Sequence, residues 1–378
     1  MDGRTRVSNA IERRPLDRVP RYDSFWEDTL SAWRDQGMPA DVHPDDFFDW
    51  DIRMMYIDAS MRMEQEVVSS DGTHVVYKDR AGYTVRKVIG KSRSVGFLDH
   101  VTKDKASWNR LKQRFEFDPH GPSRIDAQSY FMHMDEYPTW DQAKAEYDRL
   151  RRTGQYLCYA VYGPWEGAWR HRGYSQCLMD LLEDPAWVRE MGEAQSELAL
   201  AVVRHCIDLG MTPDALFLID DLACTRGLLF SPDAWRGIFK PIYARVGAFL
   251  EAHGVSFWLH CCGNCEDLFP DFIDCGVAVI QPLQAHAGLD VRSLKTEYGE
   301  DLTFWGNIDV RKMSGAEEEC EAEIREKILA AKQGGGYIYH SDHSVPPEVG
   351  FERYRWIMSL VDRYGAYPRQ EAPDDALR

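Results

Sequence analysis

The chain predicts an α/β fold: a (β/α)8 TIM barrel with a β-hairpin or small meander inserted into its N-terminal half. Three observations carry that expectation. Short apolar runs alternate with amphipathic segments through the second half, in the rhythm of repeated βα units. Polar residues follow those runs one after another, as they do at the mouth of a barrel. The length of 378 residues suits one barrel of ~250 residues with an addition. One barrel domain spanning 1–378 is therefore expected, its insertion lying at about 60–150.

Taken in order, Val19–Phe25 follows Arg18 like a first strand. Asp71-Gly72 and Ala81-Gly82 then separate the alternating segments Thr73–Lys78 and Tyr83–Ile89, which predicts the inserted hairpin or meander. Asp99–Tyr147 reads as mixed helix and loop, without a low-complexity linker to mark a second domain. Further strands are predicted at Tyr156–Tyr162, Ala215–Ile219, Val255–Leu259, Val277–Ile280, Leu302–Trp305 and Gly336–Tyr339.

The intervening helices have readable ends. Asp184-Pro185 opens one, whose apolar face of Trp187, Met191, Ala194, Leu198 and Val202 runs toward Gly210. Ser231-Pro232 opens the next, which Pro241 is expected to kink. Glu317–Lys332 starts acidic and ends basic, as the helix dipole prefers, and a last helix is expected near Phe351–Tyr364.

With 44% hydrophobic and 28% charged residues, the composition is that of an ordinary globular protein. A net charge of −17 and a pI near 5.2 exclude a surface that tracks nucleic acid or anionic lipid, because both need clustered Lys and Arg. Met1–Arg18 lacks the apolar core of a signal peptide, and no stretch offers ~18 uninterrupted apolar residues, so a cytoplasmic location is expected. Nine cysteines without the spacing of a secreted scaffold imply reduced thiols or metal ligands. Cys158, Cys177, Cys206, Cys275 and Cys320 are expected to be packing residues.

The polar residues after the strands are expected to converge on one mouth. They are Arg21-Tyr22-Asp23, Gly163-Pro164-Trp165-Glu166, Asp220-Asp221, His260-Cys261-Cys262-Gly263, Gln281-Pro282-Leu283-Gln284, Asn307 with Asp309, and His340-Ser341-Asp342-His343. Substrate contacts are expected from Tyr22, Asp23, Trp165, Gln281, Asn307 and Asp309. Residues i and i+2 at a strand end point the same way, so His260 and Cys262 suit one metal, and thiolate plus imidazole favours Zn2+. His343 is the preferred third ligand, with Cys224, Cys265 and His286 as competitors. A hydrogen-bonded core histidine beside packed thiols is the structural alternative. A redox role for the Cys262/Cys265 CxxC would need a thioredoxin-like unit, which the barrel rhythm does not supply.

Several of these motifs occur together and in order. Leu229-Phe230-Ser231-Pro232, His260–Gly263, Gln281-Pro282, Phe304-Trp305-Gly306-Asn307-Ile308-Asp309 and Asp342-His343-Ser344-Val345-Pro346-Pro347 resemble the uroporphyrinogen decarboxylase superfamily, and Arg13–Pro20 is similar to its opening segment. The site pattern most resembles the superfamily's zinc- and corrinoid-dependent methyltransferases, which hold zinc with a His-x-Cys pair and a late Cys. His260 and Cys262 match the pair, and His343 stands at the late position. The decarboxylases' arginine-rich segment after the first strand is replaced here by Arg21-Tyr22-Asp23-Ser24-Phe25-Trp26.

The resemblance implies methyl transfer between a small donor or acceptor, such as a methyl ether or thiol, and a cobalamin. Zinc at His260, Cys262 and His343 would activate the small molecule. Glu166, Asp220 and Asp221 would orient substrate or manage a proton. The chain carries no Asp-x-His-x-x-Gly corrinoid-binding sequence, so a separate corrinoid protein is the expected partner. A metal-free decarboxylase or lyase acting on a tetrapyrrole or other carboxylated substrate is the alternative, and a barrel retained only for binding is a third.

Overall fold

The computed structural model describes residues 1–91, 95–128 and 136–368. Its main sheet has eight strands and is parallel except for the two-residue strand Ile125–Asp126. The parallel strands are β1 (Ile52–Ile57), β2 (Tyr156–Tyr162), β3 (Ala215–Ile219), β4 (Ser256–His260), β5 (Val277–Gln281), β6 (Thr303–Trp305) and β7 (Tyr337–Ile338). They neighbour one another in sequence order, as repeated right-handed βα units dictate.

Closure comes from the segment expected as the first strand. Tyr339 donates its N–H to Pro20 at 2.8 Å, Tyr22 donates to Tyr339 at 3.2 Å, and Asp51 donates to Arg21 at 3.0 Å. Val19–Phe25 is thus the stave between β7 and β1, joined by isolated bridges at Arg21 and Phe25 rather than by a continuous ladder. The expected strands from β2 to β7 form within about a residue of their predicted ends. β1 was not foreseen.

Alternate residues of these strands fill the barrel's interior: Met54, Cys158, Ala160, Phe217, Trp258, Val279, Trp305 and Ile338, closed at the base by Val7. The residues between them, such as Leu157, Leu216, Leu218, Leu259, Ile280 and Phe304, pack under the helices. Both faces of the strands are therefore buried, which is why they read as nearly continuous apolar runs.

Helix ends follow their expected chemistry. Pro185–Asp208 starts with proline in its first turn and gives way to Gly210 at φ 73°. Ser231 caps Pro232–Ile238 by accepting from Ala234 N–H at 3.2 Å. Pro241 ends the hydrogen-bond ladder rather than kinking it, so a second helix, Lys240–Ala252, begins at that point.

The expected insertion is a four-stranded antiparallel meander of Glu66–Ser70, His74–Lys78, Tyr83–Val88 and Val95–His100. Gly82, at φ 94°, makes the tight turn Asp79–Gly82, where a Cβ would lie 2.6 Å from Val101 Cγ2. Residues 129–135 of the expected mixed segment lie outside the described residues. Among the described residues no helix is long and apolar enough to cross a membrane, and all nine cysteines are free thiols.

Candidate functional site

Strand pleat decides which polar residues enter the mouth. Phe217, Trp258, Val279 and Ile338 face the barrel interior, so residues an even number of positions further on face it too. These are Ile219 and Asp221, His260 and Cys262, Gln281, and His340.

Asp221, His260 and Cys262 form the one group of potential metal ligands among the described residues, with their donor atoms all within 4.8 Å of one another. His260 Nε2 lies 3.4 Å from Asp221 Oδ1 and 3.4 Å from Cys262 Sγ. The Cys262 N–H donates to Asp221 Oδ1 at 2.8 Å, fixing the carboxylate against the strand that carries the thiol. His260 Nδ1 is held by Gln281 Oε1, which leaves Nε2 as the atom facing the group.

The charges of the three groups act on one another. Burial pulls the His260 imidazolium down, yet the Cys262 and Asp221 charges outweigh it and hold the group above the usual range. Burial pushes the Cys262 thiol up, opposed by His260. Burial also raises Asp221, but its bond and charge interaction with His260 leave it below the usual carboxylate range.

Behind this group lies a polar chain. Gln281 Nε2 donates to His340 Nε2 at 3.3 Å, and His340 Nδ1 stands 3.5 Å from Asp23 Oδ1. Aromatic rings support it from below: Trp305 meets His340 edge-on at 5.4 Å, and Phe217 meets His260 at 6.1 Å. Tyr22 covers Trp305 at 5.7 Å and stacks by His340 at 6.2 Å.

The other expected site residues divide by what their polar atoms already hold. Glu166 sits in the first turn of Pro164–Arg172 and pairs with Arg170 at 2.7 Å, while burial raises its carboxyl against that cation. With Asp221, Phe97, Trp169 and Tyr174 it lines an open groove leading to the ligand group. Asp220, of opposite pleat parity, is fully buried and accepts from Glu166 N–H at 2.8 Å and Tyr243 O–H at 2.7 Å. It supports the loop and does not face the mouth.

Asp23 accepts from Tyr354 O–H at 2.7 Å and Ser341 N–H at 3.2 Å, and so anchors the first stave. Asn307, at φ 77°, ties three backbone groups of the preceding βα loop, at Val291, Leu283 and Leu289. Asp309 caps its helix through Arg311 N–H at 2.9 Å and holds the Arg311 guanidinium. Trp165 packs edge-on against Phe230 at 5.3 Å, wholly buried. All four belong to the framework of the mouth, although substrate contacts were expected of them.

His343 stands outside the ligand group, its ring 5.4 Å from Trp26. Burial and the nearby His260 lower it. Of the competing ligands, Cys265 is buried and its thiol shares a hydrogen bond with that of Cys261. Cys224 is exposed, and His286 lies 3.6 Å from Asp342.

The model of the uroporphyrinogen decarboxylase (URO-D) family matches residues 151–364. No curated protein matches the chain. Among solved structures, a methyltransferase from Methanosarcina mazei is similar at a TM-score of 0.62 and 13% identity, over 97% of this chain and 100% of that one. A fungal β-1,4-galactanase is similar at a TM-score of 0.31 and 12% identity, over 55% and 74% of the two chains. At such identities the likeness to the methyltransferase speaks for the fold.

Proposed function

The chain belongs to the uroporphyrinogen decarboxylase (URO-D) family, and on that premise we propose that it is a zinc-dependent methyltransferase of a corrinoid-dependent system. It moves a methyl group between a small donor or acceptor, such as a methyl ether or thiol, and a cobalamin carried by a separate corrinoid protein. The observation that carries this proposal is the convergence of Asp221, His260 and Cys262. Imidazole, thiolate and carboxylate are a donor set suited to zinc, and three ligands leave a position for substrate. Bound there, zinc would polarise an ether oxygen or hold a thiol as its thiolate.

The protein's own groups do the rest. Gln281 holds the His260 ring so that Nε2 faces the mouth. Glu166, buried and beside Arg170, is placed with Asp221 along the groove, where it orients substrate or accepts a proton. The rings of Phe97, Trp169 and Tyr174 along the groove offer an apolar substrate a contact surface.

A polycarboxylate substrate has less support. Arg21, the basic residue of the first stave, is engaged by Asp362 and Asp49 and does not face the mouth. The test is turnover of methylcobalamin with thiols, and of reduced cobalamin with methyl ethers. Methyl transfer by the wild type that disappears in Cys262→Ala supports the proposal. Decarboxylation without methyl transfer would overturn it.

A further inference from the structure

The turn Asp79–Gly82 of the meander reaches down onto the ends of β1, β2 and β3 and leaves a cavity of about 80 Å3 beneath it. Its floor is Ile57, Ala160, Val161 and Ile219 from the three strands, and its walls include the rings of Tyr56, Tyr83, Phe115 and Tyr162. A space of that size takes roughly six ordered waters or one small ring.

Asp79 and His171, both buried, line it, each with one polar atom unanswered. Asp79, 2% exposed, accepts from Ala81 N–H through Oδ1 at 2.8 Å, whereas its Oδ2 has no partner. His171, also 2% exposed, bonds Thr102 Oγ1 at 2.9 Å through Nδ1, and its Nε2 has no partner. Buried polar atoms are nearly always satisfied, so an unanswered carboxylate oxygen at a cavity wall marks a place for a donor. Asp79 feels Arg80 and Arg170 as well as Asp58. These charges balance, two guanidinium groups against two acids, so a further buried charge of either sign would go uncompensated. A neutral hydroxyl meets neither penalty.

We propose that this cavity is a ligand pocket for a compact neutral ring bearing a hydroxyl group, of the size of phenol, whose O–H donates to Asp79 Oδ2. Asp79 is then a specificity-determining residue supplied by the insertion. The pocket's far wall is Tyr162 and Arg170, and Arg170 pairs with the Glu166 that lines the groove to Asp221. Its use as the seat of the substrate's body rests on the methyl-transfer proposal; binding itself does not.

The experiment is calorimetric titration of phenol, benzoate and toluene into the wild type, Asp79→Asn, Asp79→Leu and Cys262→Ser, with circular dichroism to establish that each variant is folded. Phenol is expected to bind the wild type and Cys262→Ser alike and benzoate to neither, with phenol weakened about tenfold or more in Asp79→Leu and several-fold in Asp79→Asn. Toluene affinity should not fall in Asp79→Leu. Absence of phenol binding to the wild type, or equal phenol affinity in the wild type and both folded Asp79 variants, would overturn the pocket. Phenol binding to Cys262→Ser reports on the pocket separately from the metal, so the two proposals fail by different results.

Discussion

Asp220 and Asp221 are adjacent in the chain and serve opposite sides of the barrel wall: Asp220 accepts from Tyr243 and the Glu166 N–H among the helices, and Asp221 faces His260 in the mouth. Substitution should separate them. Asp220→Ala leaves two buried donors unanswered and should cost roughly 2–4 kcal/mol of stability. Asp221→Ala gives up the His260 contact and the Cys262 N–H bond, so it should cost less metal-free stability, about 1 kcal/mol, and lower zinc affinity by about tenfold or more. Denaturant unfolding of the metal-free proteins, with zinc titration of each, checks both outcomes.

Gln281 holds His260 through Nδ1 and reaches His340 through its amide nitrogen. Gln281→Leu should lower zinc affinity by about 10–100-fold while removing no ligand. Competition against a chromophoric chelator measures it, and an unchanged affinity would mean that packing alone orients the ring.

Gly263 follows Cys262 at φ 82°, and a Cβ there would lie 2.6 Å from the backbone of Ala223 and Cys224. Gly263→Ala should therefore cost roughly 2 kcal/mol or more and disturb the adjacent thiol. Thermal unfolding should show a lower Tm, and zinc binding should weaken with it.

Burial raises the Asp79 carboxyl from 3.8 to about 6. A group whose folded pKa is raised binds its proton more tightly in the folded state. Its contribution to stability is complete below the unfolded value and is lost as pH rises through about 6. Between pH 3.5 and 7.5 the wild type should lose about 3 kcal/mol relative to Asp79→Asn. Unfolding of the two proteins across that range, without ligand, gives the difference directly.

The parts of the fold legible in the sequence are those whose burial is two-sided. β2 to β6 are apolar on both faces and stand out as runs. Ile52–Ile57 escaped because Arg53 interrupts it, although that side chain is buried against Asp45 and Gln155. The two inner strands of the meander alternate, whereas Glu66–Ser70 is exposed throughout and carries no hydrophobic period. In the site, His260 and Cys262 were legible from their i, i+2 spacing. Pleat parity counted from Phe217 also selects Asp221 over Asp220, so that distinction too is written in the sequence. The position of His343 beside Trp26 depends on how the loop after β7 packs against the first stave, and no local pattern encodes that.

Asp221, His260 and Cys262 are proposed to hold zinc in the barrel mouth. Elemental analysis of protein purified without chelators tests it most directly, comparing the wild type with His260→Ala and Cys262→Ala. About one zinc per chain in the wild type and little in either variant is the predicted result. A folded wild type that takes up no zinc, even when it is supplied, would contradict the claim.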